Sequence, residues 1–169
     1  MGKYFGTDGF RGNANTTLTV TQALNVGIFL GHHYSQNGKA QILVGKDTRL
    51  SSDMLENPLA AGIAAGGCDA VLCGICPTPM VAYQVRHHHY ACGAMISASH
   101  NPYGDNGIKL FNGNGEKCDP KLEEAIEAYL DGQTTVDLAV DDKIGSVIND
   151  GSLLDEYKQW LLDTVPLDK

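Results

Sequence analysis

The chain has 169 residues, of which 43% are hydrophobic, 19% charged and 7% aromatic, and its formal net charge is −8. That length and apolar share suit one domain with a real core, or one domain plus part of a second, and exclude a disordered or fibrous chain. The acidity is local: eight Lys and Arg stand against seven Asp and Glu before residue 119, and four against thirteen from there on, so no basic face is offered to nucleic acid.

No apolar run approaches the roughly 18 residues of a membrane span. The start, Met1-Gly2-Lys3-Tyr4, has no apolar signal region, and Gly6 stands where a myristoylation site needs Ser or Thr. The chain therefore reads as cytosolic, without a membrane partner. Residues 18–33 space their apolar side chains (Leu18, Ala23, Val26, Leu30) as a helix does, with Thr19 or Thr21 as N-cap. Gln41-Ile42-Leu43-Val44-Gly45 predicts a buried strand. Ser51-Ser52-Asp53 caps a helix running to about Ala65 and ended by Gly66-Gly67. Asp69 to Gly74 predicts a second buried strand, and Pro77-Thr78-Pro79 opens a helix to about Arg86. Cys92 to Ser97 is a third strand. Asn106-Gly107 is a turn signal before the alternating Ile108-Lys109-Leu110-Phe111, so the stretch from Ser97 to Phe111 suggests one antiparallel pair. Pro120 opens a helix to about Leu130. Residues 133–149 are polar and acidic and read as a linker or small hairpin. Leu153, Leu154, Tyr157, Trp160, Leu161 and Val165 then form the stripe of an amphipathic helix before Pro166. Such a stripe must be buried on this domain or on a partner. The second option makes the chain a piece of a longer protein.

Alternating strands and helices with short connections predict a three-layer α/β/α domain with a mixed, mostly parallel sheet. Such sheets present ligands at the carboxyl ends of their strands. Three polar loops, punctuated by glycine or proline, stand there: Gly45-Lys46-Asp47-Thr48-Arg49, Cys76-Pro77-Thr78-Pro79 and Ser97-Ala98-Ser99-His100-Asn101-Pro102.

The five cysteines (68, 73, 76, 92 and 118) read as reduced thiols. Cys73 and Cys76 have redox spacing, but two small apolar residues ending a strand account for them, and no second pair completes a zinc site. His87-His88-His89 reads as a solvated helix end, because adjacent side chains splay apart; incidental metal affinity is the alternative.

A Ser-His-Asp hydrolase does not fit Ser99-His100, since adjacent side chains diverge and no G-x-S-x-G elbow is present. A phosphate-carrying serine fits better. It needs exposure, donors for the phosphate oxygens and cations to offset a charge of about −1.5 to −2. Lys109, His100, Arg11 and Lys46 can supply these. Tyr4-Phe5-Gly6-Thr7-Asp8-Gly9-Phe10-Arg11-Gly12 is a second glycine-rich cluster, matching neither G-x-G-x-x-G nor a Walker loop. From the residues alone, Arg11 could equally pin that loop to Asp8 or Asp47. Lys109 could be the exposed residue of an alternating strand, and His100 could cap a turn.

Together, Phe5 to Gly12, Gly45 to Arg49, Pro77-Thr78-Pro79, Ser97 to Pro102 and Asp105-Asn106-Gly107-Ile108-Lys109 resemble the first domain of the α-D-phosphohexomutases, over about residues 3–131. The loop forms are most similar to the branch that acts on amino sugars; the phosphoglucose and phosphomannose branches are the nearest alternatives. A non-catalytic module that binds a phosphosugar or a partner is the alternative of another class.

The resemblance implies a four-domain enzyme of which residues 1–132 are the phosphoserine-bearing first domain. Residues 133–169 would be a linker and a first helix leading to the second domain. It implies that Ser99 carries the phosphate, with Ser97 the alternative, and that glucosamine 6-phosphate and glucosamine 1-phosphate interconvert through a sugar bisphosphate, supplying amino-sugar precursors for the cell wall. Lys109 and Arg11 would stabilise developing charge or assist proton transfer. His100 would be an acid/base or orienting group, and which of His100 and Lys109 is the base stays open. Lys46, Arg49 and Asn101 would support the phosphate loop. Mg²⁺ is implied as cofactor, bound to the Ser99 phosphate. Its other ligands would come from an aspartate-rich D-G-D-x-D-R loop that this sequence lacks, so these 169 residues alone are expected to be inactive. The implied partners are a hexosamine phosphate, the other domains of the same chain and, through exposed faces, a second copy.

Overall fold

The structure is a computed structural model that describes residues 2–165; Pro166, expected to close the last helix, lies outside them. Seven strands form one sheet: β1 (Phe5–Gly6), β2 (Gly9–Asn13), β3 (Gln41–Lys46), β4 (Asp69–Ile75), β5 (Cys92–Ile96), β6 (Asp105–Asn112) and β7 (Val147–Asn149). Their order across the sheet is β1-β2-β6-β5-β3-β4-β7. Five helices cover it: α1 (Val20–Ser35), α2 (Ser52–Ala65), α3 (Thr78–His87), α4 (Pro120–Leu130) and α5 (Ser152–Thr164).

Both faces of the central strands are apolar because both are covered. On β3, Ile42 and Val44 join a core shared with Ala23, Val26 and Leu30 of α1, Leu55, Leu59 and Ile63 of α2 and Ile126 of α4. Leu43 points the other way, to Met80, Val81 and Val85 of α3 and to Leu153 and Tyr157 of α5. This is the expected α/β/α layering. Thr19 caps α1 in a capping box with Gln22. The α1 and α2 backbones touch: a Cβ at Gly27 would stand 2.2 Å from the Leu59 carbonyl oxygen, and one at Gly62 2.2 Å from that of Leu24.

The sheet is mixed in equal parts. β5-β3-β4-β7 are joined by parallel pairings, and β1-β2-β6-β5 by antiparallel ones. The amino-terminal glycine cluster is a hairpin whose second strand zips onto β6. Asn106-Gly107 is not a turn but lies inside β6. The reversal sits upstream, where Asp105 N donates to Pro102 O at 3.0 Å. Ser51 does flank α2, but its side chain makes no cap bond; its hydroxyl instead accepts from Asn106 Nδ2 at 2.9 Å.

Residues 133–149 are not wholly a linker. Ser146 N donates to Asp69 Oδ1 at 2.7 Å, and β7 extends the sheet beside β4. Helix α5 then folds back on α3, burying Leu153 and Tyr157. Leu154 packs partly against the same cluster, while the end of the stripe stays open, with Trp160 36%, Leu161 40% and Val165 53% exposed.

Candidate functional site

β3 and β5 are parallel neighbours, so their carboxyl ends deliver Asp47–Arg49 and Ser97–Pro102 to the same edge. Asp47 N donates to Ile96 O at 3.0 Å, stitching the two exits together. Arg49 then grips the serine loop by its backbone. Its Nη2 donates to Ser99 O (3.1 Å) and Asn101 O (2.9 Å), and its Nη1 to Pro102 O (2.7 Å) and Asp105 O (2.9 Å). A planar guanidinium suits this task because its fork presents donors in fixed directions.

Asp47 orients the fork. Its Oδ2 takes Arg49 Nε at 3.1 Å, and its Oδ1 takes Arg49 N at 3.0 Å and the Ser52 hydroxyl at 2.9 Å. Burial by itself would raise the Asp47 carboxyl. The Arg49 amide, the Ser97 and Ser52 hydroxyls and the Arg49 charge outweigh it and hold the carboxyl below the ordinary aspartate value.

Ser99 is exposed and has φ +56°, the left-handed region that L-residues seldom enter. Its N–H donates to Ser97 Oγ at 3.0 Å, and its hydroxyl lies 3.3 Å from His100 Nδ1. Adjacent Ser99 and His100 do meet here, because the left-handed turn removes the divergence expected of an extended chain. Asn101 bridges Asp105 Oδ2 (3.1 Å, through Nδ2) and Arg11 Nη1 (3.3 Å, through Oδ1).

Strand alternation gathers the other cations. Arg11 on β2 pairs with Gly107 on β6, and Met95 on β5 pairs with Lys109. Arg11, Gly107, Lys109 and Met95 thus share the sheet face that α3 covers further along. A Cβ at Gly107 would meet Ser97 O at 2.7 Å, Phe10 O at 3.0 Å and Arg11 Cγ at 3.1 Å, so only glycine lets the Arg11 stem cross here.

The Arg11 guanidinium is poorly saturated. Beyond Asn101 it has Asp8 Oδ2 at 3.6 Å, and its buried Nε has no partner among the described residues. The alternative that Arg11 pins its loop to Asp8 is therefore met only loosely, and Asp47 belongs to Arg49. Lys109 Nζ lies 5.4 Å from the Phe111 ring centre; no hydrogen bond joins it to the serine loop among the described residues.

Lys46 is not brought to the serine. It sits on the opposite sheet face, paired with Asp53 Oδ1 at 2.5 Å and with the buried Glu56 carboxylate. Burial lowers its basicity, but the two carboxylates more than restore it, so its charge is held above the ordinary lysine value. Sequence reasoning missed Asn106, which is fully buried. Its Nδ2 donates to Ser51 and Ser52, and its Oδ1 accepts from Gly107 N at 2.8 Å, tying β6 to α2 beneath the loop. The Asn-Gly pair hid it by reading as a turn.

The cysteines are all buried free thiols. Burial pushes Cys68 up to about 11 and Cys92 and Cys118 up to about 12, which keeps them as thiols. Cys73 and Cys76 lie 3.7 Å apart, sulfur to sulfur. The hydrogen bond to Cys76, with burial, drives Cys73 further from ionisation.

The serine loop offers a divalent ion little beyond Ser99 itself. Both Asp47 oxygens are occupied, and Asp105 Oδ2 accepts from Asn101. Among the described residues, the one group of three potential ligating side chains lies elsewhere, at His87, His88 and Glu156. A phosphate on Ser99 would be this loop's natural contribution to such an ion. No helix of the described residues is long and apolar enough to cross a membrane.

Residues 2–137 match the family described as phosphoglucomutase/phosphomannomutase, alpha/beta/alpha domain I. Over 150 residues the chain is 52% identical to a phosphoglucosamine mutase of Lachnoclostridium phytofermentans, a match covering 88% of this chain and 34% of that protein. Over 166 residues it is 49% identical to a phosphoglucosamine mutase of Lachnospira eligens, covering 96% of this chain and 37% of that one. Among solved structures, a putative phosphomannomutase from Thermus thermophilus superposes with a TM-score of 0.70 at 31% identity, over 86% of this chain and 32% of that one. A phosphoglucomutase/phosphomannomutase family protein from Burkholderia thailandensis shares the fold, with a TM-score of 0.81 at 23% identity, covering 98% of this chain and 36% of that one. The chain spans about a third of the length of the curated relatives it matches.

Proposed function

Because the chain belongs to the phosphoglucomutase/phosphomannomutase family, whose first α/β/α domain it carries at residues 2–137, we propose that Ser99 is the phosphate carrier of a sugar-phosphate mutase. The observation that carries this reading is the exposed Ser99 hydroxyl on a left-handed turn clamped by Arg49, with the undersaturated Arg11 guanidinium reaching the same loop through Asn101. An anion placed there would find the exposed hydroxyl with the Arg11 and Arg49 guanidinium charges held against the same loop.

The substrate we infer is a hexosamine phosphate, following the names of the relatives that match over most of this chain. Phosphoserine 99 gives its phosphoryl group to a sugar hydroxyl: the P–Oγ bond breaks as the new P–O bond forms, and the sugar's proton leaves to a base. The resulting bisphosphate turns over, and its other phosphate returns to Ser99. Such transfer is chiefly positioning and charge stabilisation. Arg49 fixes the carbonyl of Ser99 and so the backbone that carries its hydroxyl. Arg11, which reaches the serine loop through Asn101, would offset charge on the phosphoryl oxygens. His100, 3.3 Å from Ser99 Oγ, can hold or return the serine proton, while Lys109 stands on the Arg11 face as the other candidate base.

Family members use a metal, and Mg²⁺ suits a site made of phosphate and carboxylate oxygens. Here Ser99, through its phosphate, would hold it, with further ligands supplied from outside these residues, and it would offset anionic charge during transfer. In this reading residues 1–132 bear the chemistry and residues 133–169 lead toward a second domain of a cytoplasmic protein.

The test is phosphosite mapping of the full-length protein, with the domains that supply the other metal ligands, after incubation with a labelled hexosamine 1,6-bisphosphate. One phosphate per chain on Ser99, abolished by Ser99→Ala, is expected. Label that survives Ser99→Ala, or that maps to Ser97, overturns the assignment.

A further inference from the structure

The histidine run ends α3 and stays exposed, as expected, but its first two side chains do not splay apart. His87 is the last residue of α3 and His88 its C-cap, with φ −97° and ψ 5°. That cap conformation turns the two rings onto one carboxylate across the helix gap. His87 Nε2 lies 3.1 Å from Glu156 Oε1, and His88 Nε2 lies 2.7 Å from Glu156 Oε2. The ligand atoms of the three residues all fall within 4.8 Å of one another. The three are on two helices, one on each side of the packed pair α3 and α5.

From this geometry we propose that His87, His88 and Glu156 form a binding site for a borderline transition-metal ion, Zn²⁺ above all, that clasps α5 to α3. Two imidazoles and one carboxylate are a zinc donor set, and three protein ligands leave a fourth tetrahedral position to water. Ligand atoms bonded at about 2.0–2.1 Å to one tetrahedral ion stand roughly 3.3 Å apart; with all three ligand atoms already within 4.8 Å, small shifts of these exposed side chains would let an ion replace the two direct His–Glu contacts. Calcium or magnesium would want more oxygens than the site holds.

The surroundings hold the ligands in place as supporting contacts around metal sites do. The Tyr83 ring stacks on His87 with centroids 5.2 Å apart and planes 13° from parallel. Buried Gln84 donates to Leu153 O at 2.7 Å and to Glu156 Oε2 at 3.3 Å, so the carboxylate is tethered to the base of α5. The side chains of His87, His88 and Glu156 are 50%, 37% and 36% exposed, leaving an ion a path from solvent. The clasp has a consequence: α5 fully buries only Leu153 and Tyr157 against the domain, with Leu154 and Trp160 packed at its margin, so a bound ion adds a further tie between α5 and α3. The site is independent of Ser99 and its chemistry.

The single tryptophan of the chain reports on it. Trp160 stacks on Tyr83 with centroids 4.3 Å apart, one ring removed from His87. The experiment titrates the metal-stripped protein with Zn²⁺ by calorimetry and with Cu²⁺ by Trp160 fluorescence, and follows hydrogen exchange of α5 amides with and without Zn²⁺. Expected are one ion per chain, quenching of Trp160 by Cu²⁺ and at least tenfold slower exchange in α5 with Zn²⁺. His88→Ala and Glu156→Gln should each weaken binding tenfold or more, while His89→Ala and the double change His32→Ala/His33→Ala leave it unchanged. Binding that is insensitive to His88→Ala and Glu156→Gln, or lost on changing His32 and His33, overturns the proposal. So does Zn²⁺ that leaves α5 exchange where it was. All the variants are at exposed or half-exposed positions, and circular dichroism without metal verifies that each is folded.

Discussion

Arg49→Met removes the fork that holds the serine loop while keeping the length of the stem. Four loop carbonyls and the Asp47 carboxylate lose a charged donor together. The bonds to Ser99 O and Pro102 O face solvent, and water replaces them at little cost. Those to Asn101 O and Asp105 O are part-buried, and each unpaired carbonyl costs about 1–3 kcal/mol. Asp47 keeps the Arg49 amide and the Ser52 hydroxyl, so its share is small. The net loss is about 3 kcal/mol, which for a chain of this size lowers Tm by roughly 6–12 °C. Arg49→Lys should recover less than half of this, since an ammonium cannot span carbonyls on both sides of the turn. Differential scanning calorimetry measures the stability. Phosphosite mapping then shows slower loading of Ser99, whose carbonyl is no longer held. If Arg49→Met melts within a degree of the parent and loads Ser99 at the same rate, the clamp has no energetic meaning.

Gly107→Ala places a methyl against the carbonyls of Ser97 and Phe10; a loss of about 1–3 kcal/mol in urea unfolding is expected, with a weaker response of phosphate loading to Arg11→Ala than in the parent. Ser99→Gly should be more stable than Ser99→Ala by about 1 kcal/mol, because only glycine occupies φ +56° without strain; equal melting would refute the strain. Glu127 accepts the amides of Lys3, Tyr4 and Phe5 at 2.7–2.9 Å, so Glu127→Ala should cost about 1–2 kcal/mol after allowance for its part exposure and release β1 to proteolysis.

In acid the direction is fixed by the same contacts. Burial tends to raise Glu127, but the three amides hold it below the usual glutamate value, and Asp47 is likewise depressed. Their stabilisation is present above the unfolded-state values of about 4 and is lost as pH falls through the lower folded ones. A Tm profile should therefore drop below about pH 4, less so in Glu127→Gln; a flat profile contradicts the assignment.

What the sequence carried by itself was local order and the layer plan. The Thr19 cap, the Pro77 and Pro120 helix starts and the buried runs at Ile42, Val71 and Ala94 each follow from propensity and periodicity, which are short-range properties. The phosphohexomutase motifs pointed to Ser99 for the same reason, since its loop is one contiguous segment. What only the tertiary structure decided is which distant groups meet. Asn106-Gly107 looks like a turn until β2 zips onto β6 and Asn106 finds Ser51 and Ser52 across the sheet. Lys46 looks like a phosphate ligand until strand alternation turns it to the two carboxylates of α2. His87 and His88 look divergent until a helix cap and a helix that begins more than sixty residues later bring them to one carboxylate. Each of these rests on a pairing between segments far apart in the chain, and no local pattern encodes the partner.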